Sequence, residues 1–140
     1  MANEINLQRF LDAQQNHYAT THSEIASGKK ISHWMWYIFP QIKGLGTSET
    51  ARYFAIQNLE EAVAYYQHPI LGKRLLQITQ TLLSVNNKSA FQIFGHPDDV
   101  KLKSSMTLFS QIKGADNLFL KVLHKYYKGE PDLQTLTLLK

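Results

Sequence analysis

Two stretches of this chain carry side chains that could do chemistry. The first is the aromatic run SHWMWYIFPQ with the glycine turn KGLGTSETARY behind it. His33 and Tyr37 are four residues apart, so a helix puts them on one face. A histidine among aromatics is either a satisfied core residue or an acid, base or donor that orients a ligand. Trp36 and Gln41 stand on the same edge of the run, and Trp36 or Tyr53 could stack on a base. Gly44 and Gly46 permit a tight turn or a close backbone approach. Thr47 or Ser48 heads the next helix, whose free N–H groups, with Lys43 and Arg52, could hold a phosphate. The same residues serve equally as a plain turn and N-cap. The GK[ST] ending of a P-loop is absent.

The second stretch is HPDDVKLKSSMTLF. On a helix, Leu102, Met106 and Phe109 form the apolar face, and Asp99, Lys103 and Ser110 turn to solvent. Lys101, Ser104 and Ser105 flank the apolar face around Leu108. Burying them unpaired would cost a few kcal/mol, so they need partners from the protein or from a ligand. Close packing by small serines and an Asp98–Lys101 pair would also account for them. There is no GxSxG and no evident base, hence no Ser-His-Asp signature. His17 and His22 miss the i, i+4 spacing of a helical metal pair and no HExxH exists, so no metal and no cofactor are expected.

Helices must position both stretches. Asn6 reads as an N-cap, and Leu7, Phe10, Leu11, Tyr18 and Ile25 keep helical spacing to a stop at Gly28. Trp34, Met35, Ile38 and Phe39 belong to a core, and Pro40 ends their run. Ser48, the Asn58/Glu61 capping-box pair, and Pro69, Pro97, Asp116 and Pro131 mark further helix starts. Ser89 to Phe94 reads as a short helix stopped by Gly95. No alternating strand, linker or repeat stands out. The reading is all-α: one compact domain over 1–140, of about seven helices with short connections.

Bulk properties narrow the function. The 140 residues suffice for one core, and 44% hydrophobic with 19% charged residues fits a globular protein. Cysteine is absent, which excludes disulfides and thiolate metal sites. The opening MANEINLQRF lacks an apolar leader core, and no apolar run nears the ~20 residues of a membrane helix. A cytoplasmic protein without membrane contact is expected. The net charge is +4. It comes from scattered lysines, with arginine only at Arg9, Arg52 and Arg74, which argues against a nucleic-acid partner.

The segments SHWMWYIFPQ, GLGTS, ARYFAI, HPILGKRL, FGHPDDVKLKSSMTLF and PDLQTLTLL stand in the order and spacing of one family. From about Leu7 to Leu139 the chain resembles domain-of-unknown-function family 1810. That resemblance implies a compact helical domain and no settled activity. TSETARYFAIQ also resembles the TSE-HYFQAQK motif of the NADAR superfamily, associated with NAD and ADP-ribose chemistry. This second resemblance implies cleavage of an N-glycosidic bond to ribose, with Glu49 matching the catalytic glutamate and Tyr53-Phe54 the aromatic pair. The chain departs from that motif by the inserted Thr50, Ala51 and Arg52, and it lacks the DxWG-type ending.

Two readings follow. In one, a pocket between His33 and Trp36, the glycine turn, and Lys101, Ser104 and Ser105 binds a phosphate-bearing, nucleotide- or ADP-ribose-like molecule. Glu49 or Asp99 then serves as the carboxylate of glycosidic cleavage. In the other, the same surface is a non-catalytic module for a small ligand or a protein partner.

Overall fold

The computed structural model of the chain describes residues 5–140. The first four residues of the opening stretch lie outside it. Ten helices follow one another: α1 Gln8–Gln14, α2 Tyr18–Ala26, α3 Met35–Ile38, α4 Glu49–Phe54, α5 Leu59–Gln67, α6 Leu71–Leu83, α7 Ala90–Phe94, α8 Asp98–Ser110, α9 Leu118–Tyr127 and α10 Leu133–Leu138. Among the described residues the extended pairing is limited to one isolated parallel bridge, Ile42 with Ile56.

The count is ten, not about seven. The segment from Leu7 to Gly28 divides into α1 and α2 at residues 15–17, where the Gln15–His17 stretch carries no proline or glycine to mark a break. Helices α3 and α7 have four and five residues, too few to establish a period.

The caps explain the boundaries. Ser48 Oγ accepts from Ala51 N, and Asn58 Oδ1 accepts from Glu61 N. Ser89 and Gln92 form a full capping box, and Gly95 with φ 73° ends α7. Only half of the Asn58/Glu61 box forms. The Glu61 carboxylate turns to Arg9, at 2.7 Å, and to Gln57 N. The His68 ring accepts from the N–H groups of Ile70 and Leu71 at the head of α6.

Helix α8 runs through the centre. Seven of its residues, from Leu102 and then Ser104 to Phe109, are buried, because α5, α7, α9 and α10 pack around it. The amphipathic α6 lays Leu71, Leu75, Ile78 and Leu82 against the neighbouring α2, α5 and α9. Trp34, Met35, Ile38 and Phe39 are all at most 2% exposed, as the aromatic run predicts. Gly72 is required where α5 meets α6. A Cβ there would sit 1.9 Å from the Tyr66 carbonyl oxygen.

Candidate functional site

Pro40 ends the aromatic run, and the chain then pairs with Ile56. Ile56 N donates to Gln41 O at 2.9 Å and Lys43 N to Ile56 O at 2.8 Å. This pins Gln41 and aims the glycine turn at the flank of α8. The result is a groove of about 220 Å³, lined by Gln41, Leu45 and Gly46 on one side and by Pro97, Val100, Lys101, Ser104, Asp132 and Gln134 on the other. A smaller pit of about 20 Å³ touches Trp36, Gln41 and Gly46, room for about one water.

Gly46 is needed for this approach. A Cβ on it would stand 2.5 Å from the Ala51 Cβ of α4. The Lys101 ammonium lies 5.3 Å from the Trp36 ring centroid and 3.6 Å from Asp98 Oδ1. Asp98 is shared, since its Oδ2 is 2.9 Å from Lys30 Nζ. Lys101 is therefore loosely held.

Asp132 is the most constrained polar group of the groove. It caps α10 through Oδ2, which accepts from Thr135 N at 3.0 Å and from the Thr135 hydroxyl. Ser104 Oγ is 3.1 Å from the same oxygen and 3.2 Å from Val100 O, so its one proton serves two acceptors. Asp132 N donates to Thr107 Oγ1 at 2.8 Å. Oδ1 has no protein donor among the described residues. Sequence reasoning missed Asp132 and Gln134. The signal for Asp132 was its position after Pro131 and three residues before Thr135, an N-cap pattern.

The structure brings together Gln41, Gly46, Lys101 and Ser104, with Trp36 beside Lys101. It separates the others. His33 lies before α3, outside any helix, so the helical face expected for it and Tyr37 does not form; both line a different cleft, with His17, Thr20, Thr21, Ser32 and Trp34. Ser105 is wholly buried in α8 and lines no part of the groove. Lys43, Gly44, Ser48, Arg52 and Tyr53 are exposed around the turn and the first helix after it, outside the groove lining. Glu49 is exposed in the first turn of α4. Asp99 is half-buried on the solvent side assigned to it. Its carboxylate meets the His96 ring at 2.9 Å, and its carbonyl accepts from the Tyr127 hydroxyl. Neither carboxylate lines the groove.

Among the described residues no group of three or more His, Cys, Asp or Glu could hold a metal ion. No helix among them is long and apolar enough to cross a membrane.

The fold is a compact all-helical domain, with a groove between the glycine turn and the flank of α8. The chain belongs to the family described as "Protein of unknown function (DUF1810)", whose model matches residues 4–139. It is also similar to the crystal structure of the conserved hypothetical protein Rv1873 from Mycobacterium tuberculosis. The two share 45% identity over 98% of each chain, with a TM-score of 0.95. No curated protein matches the chain.

Proposed function

We propose that the groove between residues 41–46 and helices α8 and α10 binds the ribose–phosphate portion of a nucleotide- or ADP-ribose-like ligand. The observation that carries this reading is Asp132. It is the carboxylate among the groove-lining residues, with one oxygen anchored and the other unclaimed by the protein. Such a carboxylate suits a sugar diol, because an ionised carboxylate only accepts and each hydroxyl donates. The amides of Gln41 and Gln134 flank it. Lys101 supplies the charge for a phosphate, and Trp36 supplies an aromatic surface. The volume of about 220 Å³ is below the roughly 300–1,000 Å³ that encloses a drug-sized ligand. The groove therefore grips one sugar-phosphate unit and leaves the rest at its rim.

Cleavage of an N-glycosidic bond is a second reading, favoured by the unclaimed Oδ1. Asp132 would take the proton of a water that attacks C1′, while the C1′–N bond breaks and its electron pair leaves with the nitrogen. Asp132 replaces Glu49 and Asp99 in this role, since neither lines the groove. A thermal-shift screen against ADP-ribose, NAD, nucleosides and phosphate tests binding. A ligand at ~100 times its Kd adds about 2.7 kcal/mol of stability. Chromatography of the same mixtures tests turnover: a freed base supports cleavage, and an unchanged ligand that still stabilises the protein supports binding alone. Absence of any shift at millimolar ligand refutes both.

A further inference from the structure

We propose that the cleft between α2 and the start of α3 is a second site, for a small oxyanion of the phosphate-monoester class. The proposal is independent of the groove. The cleft measures about 260 Å³. One wall is the start of α2, with its N-cap His17 and with Thr20 and Thr21, and the other carries His33, from the bend before α3, and Tyr37.

The cleft presents several unclaimed groups that can donate. Helix α2 has nine residues, and its N-cap, His17, makes no side-chain cap. The Thr21 N–H is the first to find the His17 carbonyl, at 2.9 Å. The N–H groups of Tyr18, Ala19 and Thr20 thus precede any helical acceptor, at the positive end of the helix dipole, and of these three residues Thr20 lines the cleft. Anions bind at such ends. The imidazoles of His17 and His33 and the Tyr37 hydroxyl have no hydrogen-bond partner among the described residues. Burial, followed by the Glu24 charge, raises the Tyr37 phenol above its ordinary value, so it stays protonated and can donate.

Thr21 points to a ligand separately. It is wholly buried, it lines the cleft, and its Oγ1 has no partner in the protein. Leaving a buried hydroxyl unpaired is destabilising, and folded proteins seldom do so. A tetrahedral oxyanion offers several acceptors to a cleft whose unclaimed groups can each donate one hydrogen bond.

Nearby charges are already engaged. Glu24 accepts from Ile31 N, Ser32 N, Ser32 Oγ and Trp34 Nε1. Lys30 pairs with Asp98 over the Trp34 ring. Ser32 and Trp34 spend their side-chain donors on Glu24, so the ligand is left to α2, His17, His33 and Tyr37.

Inorganic phosphate titrated into isotope-labelled full-length protein tests the site by two-dimensional NMR. Saturable shifts of the 18–20 amides and of the His17 and His33 ring signals are expected. The double variant His17→Ala/His33→Ala should bind at least tenfold more weakly. Thr21→Val, which keeps the side-chain shape, should bind severalfold more weakly. Asp132→Asn should leave these shifts unchanged, which separates this site from the groove. Three results would overturn the proposal: no movement at these signals in millimolar phosphate, equal shifts in the histidine double variant, or movement confined to surface lysines.

Discussion

Trp34 donates its indole N–H to Glu24 Oε1 at 2.8 Å, and this buried contact ties α2 to the entrance of α3. The same oxygen accepts from Ile31 N and Ser32 N, and Oε2 accepts from Ser32 Oγ at 2.6 Å. Glu24 therefore folds the Ile31–Trp34 loop around itself. Trp36, whose ring centroid lies 5.3 Å from the Lys101 ammonium, follows that loop directly.

Glu24 also gives the fold an acid limb. Burial on its own raises this carboxyl, but the hydrogen bonds from Ser32, Ile31 and Trp34 outweigh it and lower the value to about 2. An unfolded glutamate titrates near 4.3. The folded value is the lower, so the stabilisation is present above about pH 5 and is lost as pH falls towards 2. Chemical denaturation across this range should show the slope, and Glu24→Gln should flatten it. At neutral pH, Glu24→Gln should cost about 1–2 kcal/mol, because its oxygen can still accept the three N–H groups. Glu24→Ala, which strands them, should cost about 3 kcal/mol.

The glycine turn gives a steric prediction. Gly46→Ala places two Cβ atoms 2.5 Å apart, against Ala51. It should destabilise the protein by about 1–3 kcal/mol. Adding Ala51→Gly should recover most of that loss in a double-mutant cycle. Failure of the second change to rescue the first would mean that another clash governs the turn.

Much of the fold was legible because caps and periodicity are local. Asn58 caps the helix its side chain suggested, Ser48 rather than Thr47 caps α4, and Gly28 and Gly95 take the positive φ expected of helix stops. The break at residues 15–17 was hidden. Gln14, at the end of α1, is buried, and its amide reaches the Tyr37 carbonyl and the Tyr65 hydroxyl, contacts 23 and 51 residues away. The site was half legible for the same reason. Lys101 and Ser104 were visible as polar residues on a buried flank. Asp132 meets Ser104 across 28 residues, and no local pattern encodes that meeting. The split of the aromatic run also followed from tertiary packing, with Trp36 lining the small pit beside the groove and His33 and Tyr37 lining the α2 cleft.

Lys101 separates binding from stability. Its ammonium is 3.6 Å from Asp98, which keeps a closer partner in Lys30 at 2.9 Å. Lys101→Met retains the aliphatic stem against Trp36. It should change stability by less than about 1 kcal/mol. Affinity for a phosphate-bearing ligand should fall about tenfold, or 1.4 kcal/mol, as calorimetry of wild type and variant would show.

Asp132 allows a parallel separation. Asn is as good an N-cap as Asp, so Asp132→Asn should lie within about 0.5 kcal/mol of the wild type in thermal unfolding. Asp132→Ala removes the cap of α10 and strands the Thr135 donors. It should cost about 1–2 kcal/mol.

Calorimetric titration of ADP-ribose into wild type, Asp132→Asn and Glu49→Gln tests the central claim most directly. The groove reading predicts saturable binding to the wild type, unchanged binding to Glu49→Gln, and loss of at least tenfold in affinity for Asp132→Asn. Equal affinity in wild type and Asp132→Asn, or a loss confined to Glu49→Gln, would contradict it and move the site to the exposed face of α4.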